Sequence, residues 1–195
     1  MNFKYIFSVI LLLSNFSGLL SQTALISGQI PTTFVQKAEI RILIFNQSMA
    51  ETTVIIPDGT GFYKWNAPIG ANYRIMASIV GGERMDDYLN GVTVLDLVLI
   101  LRHIMGTDIL DSPSKIIAAN VNLNNNVTAS DMVLIKKLIL RKDTNFQHNL
   151  SWLLRPTNDV YQEFHEITNL QSDTTGLDFT PIKLGDVNGT AIGGG

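Results

Sequence analysis

Residues Asn120 to Asp131 read NVNLNNNVTASD, with side-chain oxygen at Asn120, Asn122, Asn124, Thr128 and Asp131. That spacing suits a hard cation. A twelve-residue calcium loop takes oxygens from positions 1, 3, 5, 9 and 12 and a backbone carbonyl from position 7, and turns sharply at position 6. Counted from Asn120, every side-chain position carries oxygen and Asn126 offers the carbonyl. Asn125 stands at the turn, where asparagine accepts left-handed φ more readily than most residues with a side chain. Only Asp131 is charged. The affinity expected is therefore that of weak extracellular modules, with a Kd of about 10⁻⁴ to 10⁻³ M. The alternative is an asparagine-rich capped turn between two helices, which uses the same residues.

The elements around this loop occur twice. VTVLDLVLILRHIMG from Val92 and VTASDMVLIKKLILR from Val127 align at an offset of 35 residues, and 7 of 15 positions are identical, which indicates an internal duplication. Each run has the broad apolar face of a buried helix. One such unit cannot bury its own face, whereas two packed together can. In the same register the earlier loop starts at Met85. Asp87, Gly91, Thr93 and Asp96 then fall at positions 3, 7, 9 and 12, while Met85 and Leu89 cannot ligate. Val92 and Val127, at position 8 of the two loops, are expected to pair across a two-loop sheet.

Loop plus helix, twice, with aspartate at position 12 and a helix opening D-L-V-L-I or D-M-V-L-I, resembles the duplicated repeat of a type I dockerin over Asp86 to about Asp143. The resemblance implies an all-α, calcium-binding pair over residues 85–145. It also implies a protein partner, a cohesin-like module or another surface protein, in an assembly that degrades polysaccharide or sits at the cell surface. Positions 10 and 11 are Val94–Leu95 and Ala129–Ser130, which depart from the family's hydroxyl pair.

Residues 22–84 read as β. Five short apolar runs, ALISGQI, AEIRILIF, ETTVIIP, FYKWN and NYRIMASIV, are separated by turns such as DGTG, the pattern of an antiparallel sandwich. The series DGTGFYKWNAPIGANYRIMAS resembles the last hairpin of carboxypeptidase-regulatory-like, prealbumin-like modules. The fold class expected is α+β in two modules, a small antiparallel β-sandwich followed by the helix pair.

Residues 1–21 have a basic start at Lys4, a short apolar core and small residues near Ser21, the pattern of a secretory signal peptide cleaved after Ser21. The apolar core is short for a membrane span. The remaining chain has 13 basic and 17 acidic residues, a net charge of −4, and no basic cluster to suit a nucleic acid. With no cysteine there is no disulfide framework, so bound metal is one candidate staple for a secreted or cell-surface protein.

Residues 146–195 read as irregular and end in a GDVNG loop and a bare GGG, as a fragment of a longer protein would. Asp186 and Asn188 match positions 1 and 3 of a calcium loop with no helix after them. One expectation is that they fold back to complete the first loop or add charge to the second. The alternative is a solvated turn or the start of a truncated module. EFHE, Glu163 to Glu166, is the densest titratable cluster, but no nucleophile or phosphate loop accompanies it, so no enzyme is expected. Two functions stay open. One is a calcium-binding docking module. The other is a calcium-stabilised spacer of an adhesin-like protein, or an accessory part of a secreted glycoside hydrolase.

Overall fold

The computed structural model describes residues 22–36, 38–80 and 88–191. The expected signal peptide and Asp87 lie outside the described residues. Strands β1 (Thr23–Gln29), β2 (Glu39–Asn46), β3 (Glu51–Ile55), β4 (Phe62–Pro68) and β5 (Tyr73–Val80) occupy the five apolar runs, and helix α1 (Thr32–Val35) follows Pro31. Alternation sets the buried face. Ile40, Ile42 and Ile44 of β2 point inward with Tyr73 and Ile75 of β5, while Glu39 and Arg41 point out. Sheet order is β1–β4 in one layer and β3–β2–β5 in the other, extended beyond β5 by residues His165–Ile167, all antiparallel.

The last third of the chain completes both layers. Strand β7 (His165–Ile167) adds to the edge of β5. Residues 173–178 run along the free edge of β1 and satisfy its outward amides in turn. Asp173 Oδ1 accepts from Leu25 N at 2.8 Å, Thr174 O from Ser27 N at 3.1 Å, and Asp178 Oδ1 from Gln29 N at 2.8 Å. A sheet edge left bare would invite pairing with another chain.

Helices α2 (Val94–Ile104), α3 (Pro113–Ala119) and α4 (Ala129–Ile139) are followed by β6 (Trp152–Pro156), which pairs antiparallel with β8 (Phe179–Lys183). This ribbon separates two cores. Leu154 and Phe179 join the β-layer core with Ile26, Ile42 and Tyr63. Leu153 and its cross-strand partner Ile182 join Ile100, Ile135 and Leu138 of the helices. Period-2 alternation explains the split, since adjacent strand residues face opposite sides.

The expected fold class and the dockerin resemblance are corrected by this arrangement. Among the described residues there are eight strands in three sheets and only four short helices. No all-α pair stands alone. The core around α2 and α4 is completed by Leu153, Ile182, Leu184 and Val187, all from the region read as irregular. The carboxypeptidase-regulatory-like resemblance fails with it, because the four-stranded sheet takes β7 from far outside residues 22–84. The sequence misled for a physical reason. Strands of three to five residues, paired over long separations, leave little local period to read.

Candidate cation loops

The loop from Asn120 to Asp131 is held from both ends. Asn120 caps the C-terminus of α3, and Thr128 caps the N-terminus of α4. Asp131, fully buried, accepts from Asn122 N through Oδ1 at 3.2 Å, and from Thr128 N through Oδ2 at 2.9 Å. Asn120 Oδ1 accepts from Asn124 N at 3.2 Å, and Asn122 Oδ1 from the same amide at 3.1 Å. Asn124 Oδ1 accepts from Asn126 N at 3.0 Å. The turn residue Asn125 has φ +68°. The side-chain oxygens are thus turned inward, toward the loop's own amides.

The same pattern recurs at Asp96, built from two distant segments. Thr93 caps α2, and Asp96 Oδ2 accepts from Thr93 N at 2.8 Å. The other oxygen, Oδ1, accepts from Val187 N at 2.9 Å and Asn188 N at 3.3 Å. Asp186 Oδ1 accepts from Thr190 N at 3.2 Å, and Asn188 Oδ1 accepts from that amide at 3.1 Å. Asp186, Asn188, Thr190, Thr93 and Asp96 take the places of Asn120, Asn122, Asn124, Thr128 and Asp131, and the two loops differ at the fifth place, where Asn124 Oδ1 accepts from Asn126 N but Thr190 Oγ1 donates to Gly91 O. The structure therefore brings Asp186 and Asn188 to Gly91, Thr93 and Asp96. Thr190, in the fifth place, was missed in the sequence. Reading GDVNGT in loop register would have found it.

Gly91 makes the junction possible. Its carbonyl, in the seventh place, accepts from Thr190 Oγ1 at 3.1 Å. At φ +76° a Cβ there would lie 2.4 Å from Ala191 N and 2.6 Å from Asp186 Oδ2. Only glycine suits both the dihedral and the approach. Val92 and Val127 both pack in the helical core, but no strand pair joins the two loops among the described residues.

The donor set is one of neutral oxygens with few charges. Among the described residues no group of three or more His, Cys, Asp or Glu gathers in metal-binding geometry. A cation here would rely on amide, hydroxyl and carbonyl oxygens, which suits calcium and not zinc. In the split loop both oxygens of Asp96 and Oδ1 of Asp186 accept two hydrogen bonds each, and Asp186 Oδ2 accepts one. The split loop carries two carboxylates, Asp96 and Asp186. The contiguous one carries Asp131 alone.

The EFHE cluster does not converge. His165 is buried, and its Nε2 bonds Asp178 O at 2.9 Å. Burial holds its imidazole below the usual range, partly offset by the bond to Asp178. Glu166 faces away and pairs with Arg74 at 3.4 Å, while Glu163 pairs with Arg155 at 3.3 Å. His103 Nδ1 accepts from Leu110 N at 3.2 Å, and His148 Nε2 bonds Val121 O at 2.8 Å. All three imidazoles have structural partners. Among the described residues, no helix is long and apolar enough to cross a membrane. No known protein family, curated protein or solved structure matches the chain.

Proposed function

We propose that this chain is a calcium-stabilised, non-catalytic structural module of an extracellular protein. The observation that carries the reading is the set of amide-to-oxygen bonds shared by the two oxygen-lined loops, one contiguous and one assembled across the fold. Calcium near millimolar would occupy loops of this charge. Ligand bound only to the folded form would then stabilise a chain that has no disulfides. Calorimetric titration with calcium chloride tests it. Two bound ions and a higher Tm are expected. No heat of binding together with an unchanged Tm in chelator would refute the reading.

A second reading, attachment to a protein partner, is favoured by one feature. Val94, Val98 and Leu101 of α2, with Met105 at its C-terminal cap, recur at helical spacing and are all exposed. Exposed apolar stripes of this kind mark contact surfaces. A V98D/L101D variant that keeps its fold but loses a partner captured by the parent chain would support it. Equal capture by both would count against it.

A further inference from the structure

We infer that the groove between β5 and β6 binds the C-terminal end of an extended apolar peptide, with Arg155 taking its carboxylate. The inference goes beyond the calcium reading and does not depend on it. The groove has a volume of about 380 Å³, within the size range of ligand sites. It lies where the sheet is incomplete. Strand β7 pairs with Tyr73 to Ile75 only, so among the described residues Met76 to Val80 have a strand partner on the β2 side alone. A strand edge of this kind offers backbone donors and acceptors to an added strand. Ala77, Ser78 and Ile79 line the groove from β5, and Leu150 and Leu154 line it from β6 and the residues that lead into it. The walls suit alternate side chains. Leu43 and Met76, also in the lining, are cross-strand partners on the outer face of the sheet, and Met76 is exposed. Ala77 and Ile79 pack against the β-layer core, to which Leu154 belongs. A strand added beside β5 would place successive side chains on those two surfaces in turn.

Arg155 sets the polar end. Its Nη1 meets Glu163 Oε1 at 3.3 Å and Gln162 O at 3.4 Å, both long contacts, and its buried Nε finds no hydrogen-bond partner among the described residues. An unsatisfied buried donor is costly, and a carboxylate satisfies a guanidinium through two parallel bonds. Glu163 is mostly exposed, so another carboxylate can take its place on Arg155. The position of Glu163 also fixes direction. It lies two residues before His165, which pairs with Ile75 at the closed end of the β5 edge. A peptide running antiparallel to β5, as β7 does, ends there and brings its terminal carboxylate to Arg155.

Fluorescence anisotropy on the full chain tests the groove, with a fluorescein-labelled hexapeptide pool randomised among valine, leucine, threonine and serine. The pool is used with a free C-terminal carboxylate and, in parallel, as the C-terminal amide. Binding of the free acid about tenfold tighter than the amide is expected. Glu163→Gln removes the competing carboxylate from an exposed position. It should tighten the free acid by roughly threefold and leave the amide unchanged. Arg155→Gln should remove the preference for the acid, with Tm measured alongside to separate loss of the site from loss of the fold. Equal affinity for acid and amide, or no binding by either the parent chain or Glu163→Gln, would overturn the inference. Octanoate bound where the pool is not would assign the groove to a small apolar acid and overturn the peptide.

Discussion

Two loops solve one geometric problem by different routes. The loop from Asn120 to Asp131 is continuous, rich in asparagine and placed between two helices. The loop at Asp96 draws its opening half from residues 186–190, after almost the whole fold has been traversed. The hydrogen bonds match in pairs, with Asn122 N to Asp131 answered by Asn188 N to Asp96, and Asn124 N to Asn120 answered by Thr190 N to Asp186. The difference lies in what each loop needs in order to form. The first is local and can close when its helices do. The second requires the β6–β8 ribbon to be in place, because β8 leads directly into Asp186. Local closure costs little loop entropy, and distant closure costs more.

The sharpest way to break the comparison is to remove the terminal carboxylate of each loop. Asp96→Ala leaves the amides of Thr93, Val187 and Asn188 without their acceptor. At roughly 1–3 kcal/mol for an unsatisfied buried group, with the part-buried bonds of Thr93 and Asn188 at the low end, a loss of about 3–5 kcal/mol is expected in urea denaturation. Asp131→Ala strands two such amides, those of Asn122 and Thr128. About 2–3 kcal/mol is expected there. Equal losses would mean that the split loop is no more tightly integrated than the contiguous one.

Gly91→Ala comes next. Strain at a left-handed position, with backbone in the way, should cost about 2–3 kcal/mol. Exchange protection should fall at 187–191 and hold at 122–128. In the other loop the left-handed residue is Asn125, one place earlier, and Asn125→Gly relieves its φ of +68° and should be neutral or slightly stabilising. A Gly91→Ala variant with parental stability would show that the junction yields more easily than its geometry implies.

Calcium removal should act more gently. At a tenfold excess over Kd, each site contributes about 1.4 kcal/mol. Chelator should then lower Tm by about 3–6 °C per occupied site for a chain of this size. Asp186→Asn should remove roughly half of that shift if the two sites contribute alike.

The smallest effect lies away from both loops and serves as a control. Burial depresses the His165 imidazole in the folded state, from an ordinary value of 6.5. The unfolded chain therefore binds the proton first. The stability contributed by neutral His165 is complete above pH 6.5 and is lost as pH falls through the lowered folded value. The slope should not exceed about 1.4 kcal/mol per pH unit, and His165→Asn should flatten it. An unchanged slope in that variant would assign the pH dependence to other groups.

Much of the local chemistry was legible in the sequence. Thr93 and Thr128 sit three residues before Asp96 and Asp131, and both pairs form capping boxes at helix starts. The β1 to β5 runs carried their own alternation. The strands of the last third did not. His165–Ile167 is too short to show a period, and Trp152–Pro156 ends in arginine and proline. What makes them strands is their partners, Tyr73 to Ile75 in one case and Phe179 to Lys183 in the other. That missing ribbon is why a free-standing helix pair was expected. With Leu153 and Ile182 unplaced, the apolar faces of α2 and α4 had only each other to cover them.

The sequence by itself determined the duplicated loop–helix units, the oxygen at each side-chain place of the Asn120 loop, and the glycine at residue 91. These follow from spacing along a few turns of chain, where neighbours in sequence are neighbours in space. Only the tertiary structure decided that the loop at Asp96 is completed by Asp186, Asn188 and Thr190, and that one ribbon serves two cores. Those contacts join residues about ninety apart, through hydrogen bonds to backbone amides that any residue but proline could supply. No side-chain pattern marks such a bond in advance. The fold has to bring the two segments together before their chemistry can be shared.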